Sequence, residues 1–80
     1  MAFVYILKCS DKSYYTGAAI NLEERLEKHN SGKGAKYTAG RRPVKLVYSE
    51  ELPDLSSAYR REAAIKKFNR KEKEDLIKKP

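Results

Sequence analysis

Two short runs of strand-forming residues, joined by a very short turn, constrain this chain more than any other feature. Phe3 to Cys9 is rich in β-branched and aromatic residues, Ser10-Asp11-Lys12 has the composition of a turn, and Tyr14 to Ala18 is strand-like again. Two such runs around so short a connection predict a β-hairpin at the start of the chain.

The length of the turn decides how this hairpin presents its tyrosines. A three-residue turn, Ser10-Asp11-Lys12, places Leu7 opposite Tyr15, so that Tyr5, Leu7 and Tyr15 share one face of the sheet. A two-residue turn would put Tyr5 and Tyr15 on opposite faces, because successive side chains of a strand alternate. We predict the three-residue turn.

The rest of the chain predicts one further strand and three helices. The order β-β-α-β-α-α within 80 residues indicates a single α+β domain spanning 1–80, with a three-stranded sheet flanked by helices. The predicted elements are a helix capped by Asn21 that ends near Gly32, a strand from Val44 to Ser49 after Pro43, a helix from Ser56 or Ser57 to about Phe68, and a last helix capped by Asn69 that contains Leu76 and Ile77.

Composition excludes several classes of protein. No stretch approaches the roughly 18 uninterrupted apolar residues of a membrane span. The N-terminal apolar run is short, alternates with polar residues and lacks a basic segment before it, so it indicates a strand and not a secretion signal. The one cysteine, Cys9, excludes an internal disulfide and a zinc site built from cysteines. We expect a soluble, cytoplasmic protein without a membrane partner.

The charge distribution points to a polyanionic partner. The chain has 18 Lys and Arg against 11 Asp and Glu, a formal net charge of +7. Between Lys28 and Lys45 there are basic residues and glycines but no acid, which is typical of a loop that contacts nucleic-acid phosphates. A solvated loop is the alternative. The candidate nucleic-acid-binding residues are Lys33, Lys36, Tyr37, Arg41 and Arg42.

The first predicted helix carries two polar residues on its apolar face. Leu22, Arg25, Leu26 and His29 follow the i, i+3, i+4, i+7 spacing, so the only histidine and a long cation lie on the leucine side. This placement makes both of them candidate site residues. The alternative is that the Arg25 head group reaches past the core to water and that His29 is an ordinary hydrogen-bonded interior group.

Glu62 interrupts an apolar line on the later helix. Leu55, Ala58, Glu62 and Ile65 fall on one face. Burying an ionised carboxylate without a partner is costly, so Glu62 should meet a cation, a hydrogen-bond donor or a metal ion. A structural salt bridge, for example to Arg25, is the alternative to a functional role.

Taken together, these features resemble the GIY-YIG endonuclease superfamily, and in particular its small single-domain bacterial group. Each motif alone is weak, but the ordered set is specific and covers about residues 3 to 77. The resemblance implies a three-stranded antiparallel sheet with flanking helices and an active site on one sheet face. The motifs are the spacing of Tyr5 and Tyr15, Leu22-x-x-Arg25-x-x-x-His29-Asn30, Gly34-Ala35-Lys36-Tyr37-Thr38 and Arg61-Glu62-Ala63-Ala64.

The resemblance also implies roles for five catalytic candidates. Tyr5 corresponds to a tyrosine proposed as general base, and Tyr15 to one that positions the scissile phosphate or its water. Glu62 corresponds to the glutamate that holds one divalent cation, Mg²⁺ or a similar ion. Arg25 would stabilise charge on the phosphate in the transition state, and His29 could relay a proton or orient the water.

The implied function is metal-assisted hydrolysis of nucleic-acid phosphodiesters, with DNA ahead of RNA, in structure-selective repair or recombination. A larger repair or recombination protein is a further expected partner. The chain departs from the family at Ala19, where a threonine or serine is usual, and at Thr16, which replaces isoleucine. Two other functions therefore stay open: a nucleic-acid-binding module with a decayed site, and a basic accessory subunit on the same fold.

Overall fold

The structure, a computed structural model, describes residues 1–78 and contains a three-stranded sheet in the order β2-β1-β3. Both strand pairs are antiparallel. The predicted α+β class and the antiparallel sheet flanked by helices are confirmed. The strands are β1 (Ala2–Lys8), β2 (Tyr14–Ala19) and β3 (Lys45–Leu52), and the helices are α1 (Leu22–Asn30), α2 (Lys36–Ala39), α3 (Leu55–Lys66) and α4 (Arg70–Lys78).

The hairpin turn has the predicted length of three residues. The Cys9 N–H donates to the Ser13 carbonyl and the Lys12 N–H to the Cys9 carbonyl, both at 2.9 Å. Lys12 has a positive φ of 70°, the left-handed residue that this type of turn requires. Leu7 pairs with Tyr15, so the predicted register is confirmed.

The two faces of the sheet have different compositions. Tyr5, Leu7 and Tyr15 point to one side, which we call the tyrosine face, and α1 packs against it through Leu22 and Leu26. The opposite side, the aliphatic face, carries the alternate residues of β1 and is covered by α3 and α4. Its core contains Ala2, Val4, Ile6, Ala58 and Ile65.

Side-chain caps fix the helix ends, two of them as predicted. Asn21 caps α1 by accepting from the Glu24 N–H at 3.0 Å. Before α4, Asn69 and Glu72 exchange reciprocal hydrogen bonds at 2.8 and 2.9 Å, a complete capping box. The predicted start of α3 at Ser56 or Ser57 was wrong, because Asp54 accepts from the Ser57 N–H at 2.7 Å and starts the helix at Leu55.

The glycine-containing segment between α1 and β3 is more ordered than a solvated loop. It contains the four-residue helix α2, which sequence periodicity did not predict. The Asn30 side chain clamps the segment, since its amide accepts from the Val44 N–H at 2.8 Å and donates to the Val44 carbonyl at 3.1 Å. β3 begins at Lys45 and extends to Leu52, beyond the predicted end at Ser49.

In residues 1–78, no helix is both long enough and apolar enough to span a bilayer.

Candidate active site

A chain of buried polar groups links β1, α1 and α2 on the tyrosine face. The Tyr5 hydroxyl lies 3.0 Å from His29 Nε2, and His29 Nδ1 lies 2.8 Å from Thr38 Oγ1. Thr38 Oγ1 in turn donates to the Ala35 carbonyl at 2.9 Å. Tyr5, His29 and Thr38 are each at most 2% exposed, so the chain is shielded from water.

The donors in this chain run in one direction. Thr38 has one hydroxyl proton and gives it to the Ala35 carbonyl, so toward His29 it can only accept. On this ground we assign the His29 proton to Nδ1, which leaves Nε2 as a lone-pair acceptor. The Tyr5 hydroxyl then donates to Nε2.

Burial sets the protonation states of both groups. Burial, followed by the nearby positive charge of Arg25, lowers the pKa of His29 below its ordinary value, so the imidazole is neutral at pH 7. Burial raises the pKa of Tyr5 to about 12, with Tyr15 and Glu62 adding to the rise and Arg25 opposing it. At neutral pH the pair is therefore a neutral phenol hydrogen-bonded to a neutral imidazole.

Two glycines make room for this chain. Gly17 pairs with Tyr5 across the hairpin, and a Cβ at Gly17 would lie only 2.6 Å from Tyr5 Cζ, a steric clash with the phenol. A Cβ at Gly34 would lie 2.9 Å from the Cα of His29. A side chain at either position would displace one end of the Tyr5–His29 pair, which explains the glycines without any unusual backbone angle.

Tyr15 joins the site through a stack of aromatic rings. Its ring centroid lies 5.3 Å from that of His29 and 5.8 Å from that of Tyr37, to which it is inclined by only 28°. The Arg41 guanidinium lies 4.0 Å above the Tyr37 ring on the outer side. The stack fixes Tyr15 beside His29 and brings a positive charge to the rim of the site.

Arg25 lies at the open side of the site. It lines a small apolar pocket together with Tyr5 and Leu7, as the helical spacing predicted, yet the residue as a whole is exposed. It also lines a wider groove between α1, β2 and α3, opposite Tyr59. Its charge is close enough to lower the pKa of both Tyr5 and His29. Arg25 can therefore meet an anion while it faces the buried pair.

Glu62 comes to the same site from α3, which packs against β2 and β1. Its side chain is 17% exposed and its Oε2 lies 2.7 Å from Lys66 Nζ, one helical turn further on. The alternative of a structural ion pair is confirmed, but the partner suggested for it was wrong, since the cation that pairs with Glu62 is Lys66 and not Arg25. The negative charge of Glu62 still contributes to the raised pKa of Tyr5.

The basic candidates of the loop divide into two groups. Arg41 is held by Asp11 at 2.9 Å and by the Tyr37 carbonyl at 2.8 Å, and Arg42 donates to the Ala39 carbonyl at 2.9 Å. Both arginines brace α2. Lys33 and Lys36 are exposed. The structure thus brings Tyr37 and Arg41 to the site rim and leaves the two lysines on the surrounding surface.

Two residues at the site were not predicted from the sequence. Thr38 lies in a helix of one turn, too short to give a periodic signal, and its contact with His29 depends on the chain reversal after α1. Lys66 could have been found, because residues four apart on a helix are neighbours and Glu62 and Lys66 have that spacing.

The site offers few metal ligands of its own. Among residues 1–78, no group of three or more His, Cys, Asp or Glu side chains could enclose an ion. Near the polar chain, the carboxylate on α3 is Glu62, and the imidazole nitrogens of His29 are both engaged with protein partners. A cation at this site would need water or substrate oxygens for most of its coordination.

Comparison with known proteins agrees with this geometry. The family model described as the GIY-YIG catalytic domain matches residues 1–75. A UPF0213 protein of Syntrophus aciditrophicus is 61% identical over 77 residues, covering 95% of this chain and 88% of the relative. A UPF0213 protein of Clostridium perfringens is 56% identical over 77 residues, covering 96% of this chain and 83% of the relative.

Two solution NMR structures have the same fold. A UPF0213 protein from Bacillus halodurans shares 46% identity with a TM-score of 0.61, covering 96% of this chain and 83% of that one. A protein from E. faecalis shares 47% identity with a TM-score of 0.64, covering 95% and 81%. The GIY-YIG domain places the chain in a nuclease superfamily whose substrate is nucleic acid. This chain therefore belongs to the GIY-YIG family, in the small group of UPF0213 proteins.

Proposed function

We propose that the protein is an endonuclease that hydrolyses phosphodiester bonds in nucleic acid, DNA ahead of RNA, with the help of a divalent cation, in structure-selective repair or recombination. The observation that carries the proposal is the buried, directed chain from Tyr5 through His29 to Thr38. A histidine with a purely structural role needs hydrogen-bond partners. It does not need an Nε2 lone pair directed at a phenol, with a carboxylate and an exposed arginine nearby.

The hydrogen-bonded chain from Tyr5 through His29 to Thr38 supports general-base catalysis through a proton relay. Tyr5 takes a proton from the attacking water while its own hydroxyl proton passes to His29 Nε2, so no free phenolate forms in the resting state. Thr38 holds the Nδ1 proton in place, which keeps Nε2 available. Tyr15 orients the phosphate or its water from the neighbouring strand position. Relay of this kind contributes about 10²–10⁴-fold to a rate.

Two groups of the site would stabilise negative charge on the phosphate, Arg25 and a cation at Glu62. Arg25 faces the groove and stabilises the negative charge that develops on the phosphoryl oxygens. Glu62 would hold the divalent cation, which would supply further positive charge beside the scissile phosphate. One carboxylate suits Mg²⁺, because this ion keeps several waters and is usually bound by one or two carboxylates together with substrate phosphate oxygens. Lys66 must swing away from Glu62 for the ion to bind there.

The second candidate function is a binding module with an inactive site on the same fold. The ion pair between Lys66 and Glu62 favours it, because a lysine already neutralises the carboxylate in the resting protein. The alanine at position 19 points the same way, since no hydroxyl is present there.

A cleavage assay separates the two functions. The wild type, Glu62→Gln and the matched exposed-surface control Glu27→Gln are compared on labelled single-stranded, duplex, flap and junction DNA and on RNA, with Mg²⁺ or EDTA. We expect Mg²⁺-dependent cleavage by the wild type and the control. Glu62→Gln should bind equally well and cleave about 10²–10³-fold more slowly.

The opposite outcome is equally clear. If no variant cuts any substrate, and the wild type and Glu62→Gln bind with the same salt dependence, the nuclease proposal fails and the protein is a binding module. Cleavage that persists in EDTA or in Glu62→Gln would remove Glu62 and its cation from the reaction.

A further inference from the structure

A row of positive charges crosses the sheet on the face opposite the candidate site. Lys8 pairs with Tyr14 on one side and with Lys45 on the other. Residues directly opposite each other in antiparallel strands point to the same face, so all three lie at the end of the aliphatic face. The Arg70 guanidinium lies 4.7 Å above the Tyr14 ring and extends the row. We call Lys45, Lys8, Tyr14 and Arg70 the basic row.

The two lysines of the row repel each other. Like charges directly opposite on neighbouring strands are destabilising, and adjacent strands lie only about 4.8 Å apart. Both lysines are exposed. No ion pair within residues 1–78 includes either of them. A row kept only for solubility would place a carboxylate opposite one lysine, because that choice solvates equally well and removes the repulsion.

Arg70 is held in a fixed orientation at the end of the row. Its guanidinium rests on Tyr14 and its Nε lies 3.4 Å from Glu74, which also accepts from the Tyr14 hydroxyl. The Arg70 side chain remains 54% exposed. A stacked, half-exposed guanidinium presents donors to a planar or tetrahedral anion at little entropic cost.

The sheet separates the basic row from the tyrosine face. Tyr5 and Tyr15 lie on one side, and Lys8 and Lys45 on the other. A single DNA duplex is stiff over about 150 base pairs, so a short straight duplex that reaches Tyr5 cannot also lie along the row. An anion bound at the row must therefore belong to a different segment from the strand at the site.

We propose that the basic row binds the phosphate backbone of a second nucleic-acid segment, separate from the strand presented to Tyr5. The inference rests on the proposed function for the first strand. It adds a substrate class: the protein prefers nucleic acid with two duplex segments that can lie on opposite faces of the sheet. Duplex DNA carries one negative charge per about 1.7 Å of axis, so the row meets several phosphates at once.

Binding measured without cleavage tests the row. The variant Lys8→Thr with Lys45→Thr is compared with the wild type in EDTA. The probes are an isolated duplex of roughly 12 base pairs, a rigid rod at that length, and a three-way junction built from three such arms. We expect the wild-type salt dependence, log K against log [salt], to be steeper for the junction. The double variant should flatten the junction slope by about 2, one unit per lysine.

A matched control removes the same charge elsewhere. Arg60→Ala with Lys78→Ala takes two positive charges from exposed helix positions outside the row and should leave the junction slope unchanged. Threonine favours strands and removes the repulsion, so the thermal midpoint of the lysine variant should equal or exceed that of the wild type. An unchanged slope in a folded lysine variant overturns the proposal, as does an equal flattening in the control.

The row and the nuclease can fail separately. If the lysine variant loses the steeper junction slope while no form of the protein cuts, the row stands and the nuclease proposal falls. If the wild type cuts and the lysine variant binds the junction as the wild type does, the nuclease stands and the row falls.

Discussion

The two faces of β1 show how one strand separates stability from chemistry. Val4 and Ile6 point to the aliphatic face, where they are packed against α3 and carry no polar group. Tyr5 points to the tyrosine face, where its hydroxyl enters a chain of polar atoms. Val4, Ile6 and Tyr5 are all buried, so burial alone does not mark the site. What marks it is burial of polar groups in a fixed donor order, because such groups specify geometry as well as stability.

The largest expected effect comes from a substitution on the tyrosine face. Tyr5→Phe removes one oxygen and the route by which a proton reaches His29, so kcat should fall about 10²–10⁴-fold. The unpaired imidazole should lower the free energy of unfolding by only about 1–3 kcal/mol. Cleavage kinetics and urea unfolding measure the two quantities. A Tyr5→Phe protein that cuts at the wild-type rate would remove Tyr5 from the mechanism.

The matching change on the aliphatic face should do the reverse. Ile6→Ala leaves a cavity among Val4, Ala58 and Ile65 and should lower the free energy of unfolding by about 2–5 kcal/mol. The rate per folded molecule should stay within a few-fold of the wild type. Denaturant titration gives the first value, and rates corrected for the folded fraction give the second. A small stability loss with a large rate loss would contradict the division between the faces.

Thr38 sharpens the comparison, because it acts only through His29. Thr38→Val keeps the shape and removes the acceptor for the Nδ1 proton, so the ring loses its fixed tautomer and kcat should fall about tenfold. Thr38→Ser should restore both. Nitrogen NMR of the His29 ring reports the tautomer directly, with Nδ1–H expected in the wild type. A wild-type tautomer in Thr38→Val would show that Thr38 only fills space.

The smallest expected effect is a pH dependence of stability from His29. Its folded pKa is lowered, so the unfolded state binds more protons as pH falls below the ordinary histidine value of about 6.5. The contribution is present above that pH and declines below it, by at most about 1.4 kcal/mol per pH unit. Unfolding between pH 7 and 5 measures the slope, and His29→Gln should flatten it. An equal slope in both proteins would assign it to other groups.

The hairpin, and with it the shared face of the two tyrosines, could be predicted from the sequence. The strand register follows from the length of the turn and from the alternation of side chains along each strand, both of which are local properties. The polar run Ser10-Asp11-Lys12 predicts a three-residue turn, and the observed register agrees. The caps at Asn21 and Asn69 were predictable for the same reason, because a cap bonds to an N–H only a few residues away.

The remaining parts of the site depend on contacts that no local rule reports. α2 is a single turn, so nothing in the sequence placed Thr38 beside His29. The sequence predicts phosphate contacts for the basic residues of this loop, with a solvated loop as the alternative. In the structure Arg41 and Arg42 hold the chain reversal, because backbone carbonyls in an irregular segment need donors. The expected partner of Glu62 was Arg25 on another helix, whereas the partner in the structure is Lys66, one turn along the same helix.

The β1–β2 turn has a consequence for how such a domain can vary. Surface hairpin tips normally tolerate insertions. This tip instead anchors the segment that leads from α2 to β3. The Ser10 N–H donates to the Arg41 carbonyl at 2.9 Å, and Asp11 accepts a hydrogen bond from the Arg41 side chain. Arg41 in turn lies over the ring of Tyr37, which stacks on Tyr15. A longer tip would weaken the hold on Arg41 and on the aromatic stack beside His29, so grafted peptides do not belong at this hairpin tip.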